Sequence, residues 1–202
     1  MSGEADKAES VSLGDAELVK AFQAGDTASF DALVLNHKHR VFNLCYRFLG
    51  EYQEANDSAQ ETFVKVYRSL TGFRFKSSFS TWLYRIAVNT CLNRLKSLEY
   101  RSRRKMVRLD NPGGHEGLAG SMALRDETPS PLNELERRER SALIQKAIAS
   151  LPVEQKTVVV LRDMEGLSYE DIARVTGYRL GTVKSKLARA RLELRERLKG
   201  VI

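Results

Sequence analysis

The stretch Leu167–Lys186, LSYEDIARVTGYRLGTVKSK, decides how this chain is read. Ser168, with Asp171 three residues later, is a helix-start signal, a variant of the capping box. Ala173 is small enough to sit where two helices cross closely. Gly177, four residues on, supplies the left-handed backbone angle that a tight turn needs. Val183, ten residues after Ala173, plugs the angle between the helices, and Leu187 continues that buried side. The spacing predicts a helix-turn-helix. Lys184, Ser185, Lys186, Ala188, Arg189, Arg191 and Arg195 are left on the open side of its second helix. A recognition helix enters the major groove N-terminus first, and Lys and Arg there bond guanine edges or phosphate oxygens.

The charge distribution agrees. The chain has 202 residues and a net charge of +7, with 33 Lys and Arg against 26 Asp and Glu. Residues 1–100 balance at 12 basic and 12 acidic, whereas residues 138–202 hold 14 basic against 8 acidic. Within Arg179–Lys199 eight basic residues face only Glu193 and Glu196. A second cluster, Arg94–Arg108, holds seven basic residues and one acid, Glu99. Such regional positive charge suits a polyanion partner.

Working outward, nearly every periodic segment reads as helix. Asp15–Gln23 and Thr27–Leu49 come first, the latter with Phe30, Leu33, His37, Val41, Leu44, Cys45 and Phe48 at three- and four-residue steps and Gly50 as a stop. Glu54–Leu70 and Ser80–Ser97 complete a four-helix bundle. Helices resume near Leu132, from Pro152 to Met164, and through the helix-turn-helix. The expected class is all-α, with two small helical domains, a four-helix bundle and a C-terminal helix-turn-helix domain, joined by a flexible linker. The expected division is a tail over 1–14, a first domain over 15–97, a linker over 98–131 and a second domain over 132–202. The linker reading rests on Asn111-Pro112-Gly113-Gly114 and Pro129-Ser130-Pro131, in a segment too long for an ordinary loop.

Between the third and fourth helices, Gly72–Arg85 (GFRFKSSFSTWLYR) packs five aromatics, three basic residues and four Ser or Thr hydroxyls into fourteen positions. Interleaved rings and cations suit single-stranded nucleic acid, in which bases stack on rings at about 1–3 kcal/mol each. Phe75, Ser77, Ser78 and Phe79 are the candidate pocket for an unstacked base. The competing reading has Phe73, Phe79 and Trp82 simply packing the bundle. Asn89 and Asn93, one turn apart on the fourth helix, are candidates to meet base edges or to be solvated.

Other chemistries find little support. Cys45 and Cys91 make no disulfide framework or zinc spacing, and His37, His39 and His115 form no metal set. No phosphate loop, nucleophile elbow or carboxylate pair appears. Gly181-Thr182-Val183-Lys184-Ser185 only mimics the end of a phosphate loop. Neither an enzyme nor a cofactor or metal is expected. The longest aliphatic run, Val158–Leu161, is far short of the roughly 20 residues of a membrane span. Met1–Leu13 lacks a basic-then-apolar pattern, so no secretory signal is expected and the setting reads as cytoplasmic.

The run Thr81–Thr90 (TWLYRIAVNT) resembles the promoter-reading helix of bacterial sigma factors of the extracytoplasmic-function (ECF) group, within the sigma-70 family. Asp57–Tyr67 (DSAQETFVKVY) resembles the segment by which those factors grip core RNA polymerase. Leu151-Pro152 through Gln155, Leu167–Ala173 and Gly181–Ser185 are similar to their second conserved domain. The match spans about 15–97 and 132–199, in family order. It departs at Asn56, where the family usually has an acid, and at Tyr178-Arg179-Leu180, where a Pro often precedes the Gly-Thr-Val turn.

The resemblance implies core binding to the β′ clamp helices through Asp57, Gln60, Glu61, Phe63 and Val64, and to the β flap through the second domain. It implies minus-ten recognition and opening by Phe75, Ser77, Ser78, Phe79, Tyr84, Arg85, Asn89 and Asn93. Minus-thirty-five recognition falls to Arg179, Thr182, Lys184, Ser185, Lys186, Arg189 and Arg191. It further implies a monomer within the holoenzyme, promoter DNA as partner, and an anti-sigma factor that holds the protein inactive, often at the inner membrane. The alternatives are a helix-turn-helix regulator acting without polymerase, which leaves the aromatic loop and Asp57–Tyr67 unexplained, and an adaptor that binds no promoter.

Overall fold

A computed structural model describes residues 14–106 and 131–199. Among the described residues every regular element is helical. The first bundle consists of α1 (Asp15–Gln23), α2 (Ala28–Leu49), α3 (Tyr52–Ser69) and α4 (Phe79–Met106), with a 3-10 turn at Leu70–Gly72. The second unit consists of α5 (Pro131–Ala149), α6 (Val153–Val159), a π turn at Val160–Met164, α7 (Tyr169–Thr176) and α8 (Leu180–Arg197).

Local chemistry sets the ends of these helices. The Glu51 carboxylate accepts from the backbone N–H groups of Gln53 and Glu54, both at 2.9 Å, and caps α3. Gly50 closes α2 in the left-handed region (φ 75°). Apolar residues at helical spacing then meet inside. Val19, Leu33, Val41, Leu44, Ala55, Val66, Leu70, Leu83 and Ala87 are all sealed from solvent in the first bundle. Ala55, Ser58, Ala59 and Thr62 are buried along α3, and such small side chains allow close helix approach. His37 is a core residue, 5% exposed, with Nε2 2.8 Å from Asp15 Oδ2 and its ring edge-on to Phe79. In the second unit Ile148, Val158, Val160, Leu161, Ile172, Val183, Leu187 and Ala190 form the interior.

Two elements differ from the sequence reading. Helix α4 does not stop at Ser97 but runs to Met106. The extension lacks Gly and Pro and holds Leu98, Glu99, Arg101, Arg103, Arg104, Lys105 and Met106, good helix formers that outweigh the loss of apolar period. The expected helix to Met164 loosens into a π turn, in which Glu165 N–H reaches back five residues to Val160 O (3.1 Å). Residues 1–13 of the expected tail and 107–130 of the expected linker lie outside the described residues.

The two units pack against each other. Helix α7 lies along α4, and α5 against α2. The carbonyls at the C-terminal end of α2 accept from the second unit. Gln145 Nε2 donates to Tyr46 O (2.9 Å) and Lys156 Nζ approaches Phe48 O (3.4 Å). Among the described residues no helix is long and apolar enough to cross a membrane.

Candidate nucleic-acid interface

The helix-turn-helix forms as its spacing requires. Ser168 Oγ accepts from Asp171 N–H (3.0 Å) and donates to Asp171 Oδ2 (2.7 Å), capping α7. Gly177 takes φ 75° at the turn, and its N–H returns to Ala173 O (2.8 Å). Ile172, Val175, Val183 and Leu187 interlock beneath. This fixes the open face of α8. Arg179, at its N-cap, and Lys184, Ser185 and Arg189 are exposed, while Thr182 and Lys186 are half-buried. The cations on this face differ in their ties. Lys186 pairs with Glu154 and lies 5.3 Å from the Tyr178 ring centroid. Arg191 makes a two-pronged pair with Asp163, which raises its pKa further. Lys184 sits 5.9 Å over Tyr169. Arg179 and Arg189 have no acidic partner among the described residues and are the readiest to meet a phosphate or a guanine.

The aromatic loop splits into a buried half and a presented half. Phe73 and Phe79 are buried, and Trp82 leans on Phe73 with ring centroids 5.0 Å apart. Phe79 packs among His37, Phe73 and Trp82, so it supports the loop from beneath instead of offering a ring face to a base. Phe75 is the presented ring, 41% exposed and edge-on to Phe73, with Lys20 6.0 Å from its centroid. It is the one described non-glycine residue with a positive φ, at 55°. A bulky residue there carries backbone strain, which is stored where a side chain must be aimed. Ser78 Oγ accepts from Thr81 N–H (3.1 Å) and caps α4, while Ser77 is half-buried beside it. Gln23 Nε2 donates to Leu70 O (3.0 Å) and Phe73 O (2.9 Å), tying the start of the loop to α1.

Farther along α4, Arg85, Asn89 and Asn93 form one exposed stripe at four-residue steps. Tyr84 does not share it. It is 3% exposed, and its hydroxyl donates to Oε2 of Glu165 (2.9 Å), the residue that follows the π turn. Burial and the neighbouring carboxylate push the Tyr84 pKa well up. Burial also raises the Glu165 pKa, against the Tyr84 hydrogen bond and the positive charges of Arg47 and Arg40. One helix face on, Thr81 Oγ1 donates to Asp171 Oδ1 of α7 (3.3 Å).

Helix α3 carries a third surface. Gln60, Glu61 and Val64 are exposed, Phe63 is half-buried, and Asp57 is held by Gln53 (3.0 Å) and Arg94 (3.7 Å). Val64 and Tyr67, each 47% exposed, add an apolar strip to an otherwise polar face. The sequence reading missed Glu165, Asp171, Arg47 and Lys156 as inter-unit groups. No short motif flags them, although a lysine just ahead of the apolar run Val158–Leu161 is a hint. Among the described residues no group of three or more His, Cys, Asp or Glu is placed to hold a metal ion.

A basic helix-turn-helix and a helical bundle that presents an aromatic loop thus stand on one chain. The family model described as Sigma-70 region 2 matches residues 33–101, and that described as Sigma-70, region 4 matches residues 141–194. The RNA polymerase sigma-H factor of Pseudomonas aeruginosa is 44% identical over 177 residues, covering 88% of this chain and 90% of that protein. The ECF RNA polymerase sigma-E factor of Haemophilus influenzae is 38% identical over 179 residues, covering 89% and 92%. Among solved structures, the sigma factor RpoE of Bartonella quintana, in complex with the anti-sigma factor NepR, superposes with a TM-score of 0.58 at 25% identity, over 84% of this chain and 96% of that one. The chain belongs to the sigma-70 family of RNA polymerase sigma factors, in the ECF group.

Proposed function

We propose that this protein binds core RNA polymerase as a monomer and directs it to promoters through two separate DNA-reading domains, over 15–97 and 132–202. It supplies no chemistry of its own; the polymerase performs phosphoryl transfer. Its place is the bacterial cytoplasm, with an anti-sigma factor as inhibitory partner, as the complex of the Bartonella relative suggests. The observation that carries the reading is the coexistence of two unlike nucleic-acid surfaces: a basic recognition helix with exposed Arg179 and Arg189, and an aromatic loop presenting Phe75. An ordinary duplex-binding regulator has no use for the second.

In this account the outer face of α3, with Asp57, Gln60, Glu61, Phe63 and Val64, docks on the β′ clamp helices, and the second domain meets the β flap. Helix α8 reads the minus-thirty-five element as duplex. Phe75, with Ser77, Ser78, Arg85, Asn89 and Asn93, handles the minus-ten element and captures a base that leaves the stack. Extruding a base costs a few kcal/mol, offset by ring stacking in the pocket. Tyr84 joins this face once Glu165 is withdrawn. Permanganate footprinting of promoter complexes tests the assignment. Phe75→Ala lowers thymine reactivity around the minus-ten element while upstream protection persists; equal loss of both counts against a capture role.

A further inference from the structure

A cleft of about 310 Å³ opens between α2, α5 and the π turn. Its lining is Arg47 of α2, Arg140, Ser141, Ile144 and Gln145 of α5, and Met164 of the π turn. Small-molecule clefts start at about 300 Å³ and combine an apolar lining with a few convergent polar groups. Here Ile144 and Met164 are the apolar part. The polar part is a pair of guanidinium groups, a hydroxyl and an amide.

Arg47 is short of partners. Its Nε is sealed from solvent and bonds to nothing, and its Nη1 is directed at Met164 Sδ (2.6 Å), a weak acceptor. Among the described residues no oxygen accepts from this half-buried side chain. Glu165 offsets its charge only from beyond ion-pair distance, because that carboxylate takes the Tyr84 hydroxyl instead. Burial accordingly draws the Arg47 pKa down from its ordinary value. A buried donor left unmatched is costly, and a bound acceptor would remove that cost.

Helix α5 brings a second cation to the same opening. Arg140, Ser141, Ile144 and Gln145 share one helix face. Gln145 fixes that face on α2 by donating from Nε2 to Tyr46 O (2.9 Å), the residue before Arg47. Arg140 is exposed and has no acidic partner among the described residues. Two elements thus hold two guanidinium groups at one cleft with no anion between them.

We propose that this cleft binds a phosphate monoester, with Arg47 and Arg140 on the phosphate oxygens, the Ser141 hydroxyl as a further donor, and the organic part against Ile144 and Met164. A guanidinium matches phosphate through paired hydrogen bonds and sheds its hydration more readily than an ammonium. Two of them suit a dianion better than a carboxylate. The volume suits a small ligand. The exposed cations of the recognition helix, Arg179 and Arg189, are not among the lining residues, so the cleft is separate from the upstream-element surface.

Isothermal titration calorimetry of the full chain with phenyl phosphate tests this. Ionic strength is held constant, because a chain of net charge +7 attracts any anion weakly. Phenyl phosphate should bind saturably, at one site per chain. Inorganic phosphate, which has nothing to lay on Ile144 and Met164, should bind several-fold more weakly. Arg140→Gln, at an exposed position, should weaken binding by about tenfold while circular dichroism stays native. Arg47→Lys keeps the charge but loses the planar fork, and should weaken it similarly. Lys146→Gln removes an exposed cation of the same helix that does not line the cleft, and should change nothing. Heat that does not saturate, or equal affinity in Arg140→Gln and Lys146→Gln, overturns the site and leaves only general attraction to a basic chain. Inorganic phosphate binding as tightly as phenyl phosphate overturns the part given to Ile144 and Met164. Phenylacetate binding as tightly overturns phosphate as the recognised group. The titration needs neither polymerase nor promoter, so its failure and a failure of the sigma reading are told apart.

Discussion

Tyr84, on α4, donates a hydrogen bond from its hydroxyl to Glu165, 81 residues away in the other domain, at 2.9 Å. One hydrogen bond thus joins a residue proposed to meet DNA with a half-buried carboxylate that faces Arg40 and Arg47. The pair sits at the seam between the two domains, where Thr81 and Tyr84 are both covered, at 5% and 3% exposed.

A double-mutant cycle measures this link. The two domains are closed on each other through this contact, and Tyr84→Phe and Glu165→Ala should each shift the chain toward an open form, together by less than their sum. A hydrogen bond to a charged group contributes about 1.5–3 kcal/mol. Fluorescence energy transfer between labels on the two domains reads the equilibrium. Strict additivity would show that the two side chains do not act as a pair.

Closure should depend on pH in a defined direction. In the closed state burial holds the Glu165 pKa above its ordinary value of 4.5. The closed form therefore binds the proton more tightly. Its advantage grows as pH falls through the raised value, is complete below 4.5, and is lost as pH rises. Lys156 acts with the opposite sign. Its pKa is lowered from 10.5, so closure gains as pH rises through the lowered value. Energy transfer measured from pH 5 upward should accordingly fall from the acid end as Glu165 ionises, with the Lys156 effect confined to the alkaline limb. Glu165→Gln should flatten that limb, and an acid limb of the same size in the variant would dismiss Glu165 as the titrating group.

The recognition helix offers a contrast between free and tethered cations. Arg189→Ala should cost about 1–3 kcal/mol if it reads a base, or reduce the salt slope by about one unit if it meets a phosphate. Lys186 is engaged by Glu154. Glu154→Ala should therefore strengthen duplex binding, most of all at low salt. Anisotropy titrations on a duplex carrying the upstream element, at several salt concentrations, separate the two effects. Weaker binding by Glu154→Ala would remove the tether from the account.

Val64 tests the polymerase surface. It is 47% exposed on α3, so Val64→Glu should leave the thermal midpoint nearly unchanged. Affinity for core should fall by about 2 kcal/mol, as for a central apolar contact. Competition against a labelled sigma factor on core polymerase reads it. Undiminished affinity would move the contact off this face.

Much of this was legible in the residues. Leu33, Val41, Leu44 and Phe48 recur at helical spacing and bury together, and Ser168, Gly177 and Val183 take the cap, turn and plug positions that their chemistry suits. The exposed Asn89 and Asn93 stripe follows from the same period. Phe79 was legible only as one of two readings, a pocket ring or a packed one, because its place among Phe73, His37 and Trp82 depends on how the loop crosses α2. The end of α4 was obscured because a charged helix without apolar rhythm looks like linker. The π turn left no local mark at all. One displaced hydrogen bond, Glu165 N–H to Val160 O, re-aims Met164 and Glu165 toward the other domain.

Transcription start mapping tests the central claim most directly. The purified chain is added to sigma-free bacterial core polymerase on a pooled genomic promoter library, and RNA 5′ ends are sequenced. The account predicts discrete new start sites that share two spaced upstream elements, lost with Phe75→Ala and with Arg189→Ala. A chain that binds duplex DNA but neither binds core nor creates start sites would contradict it.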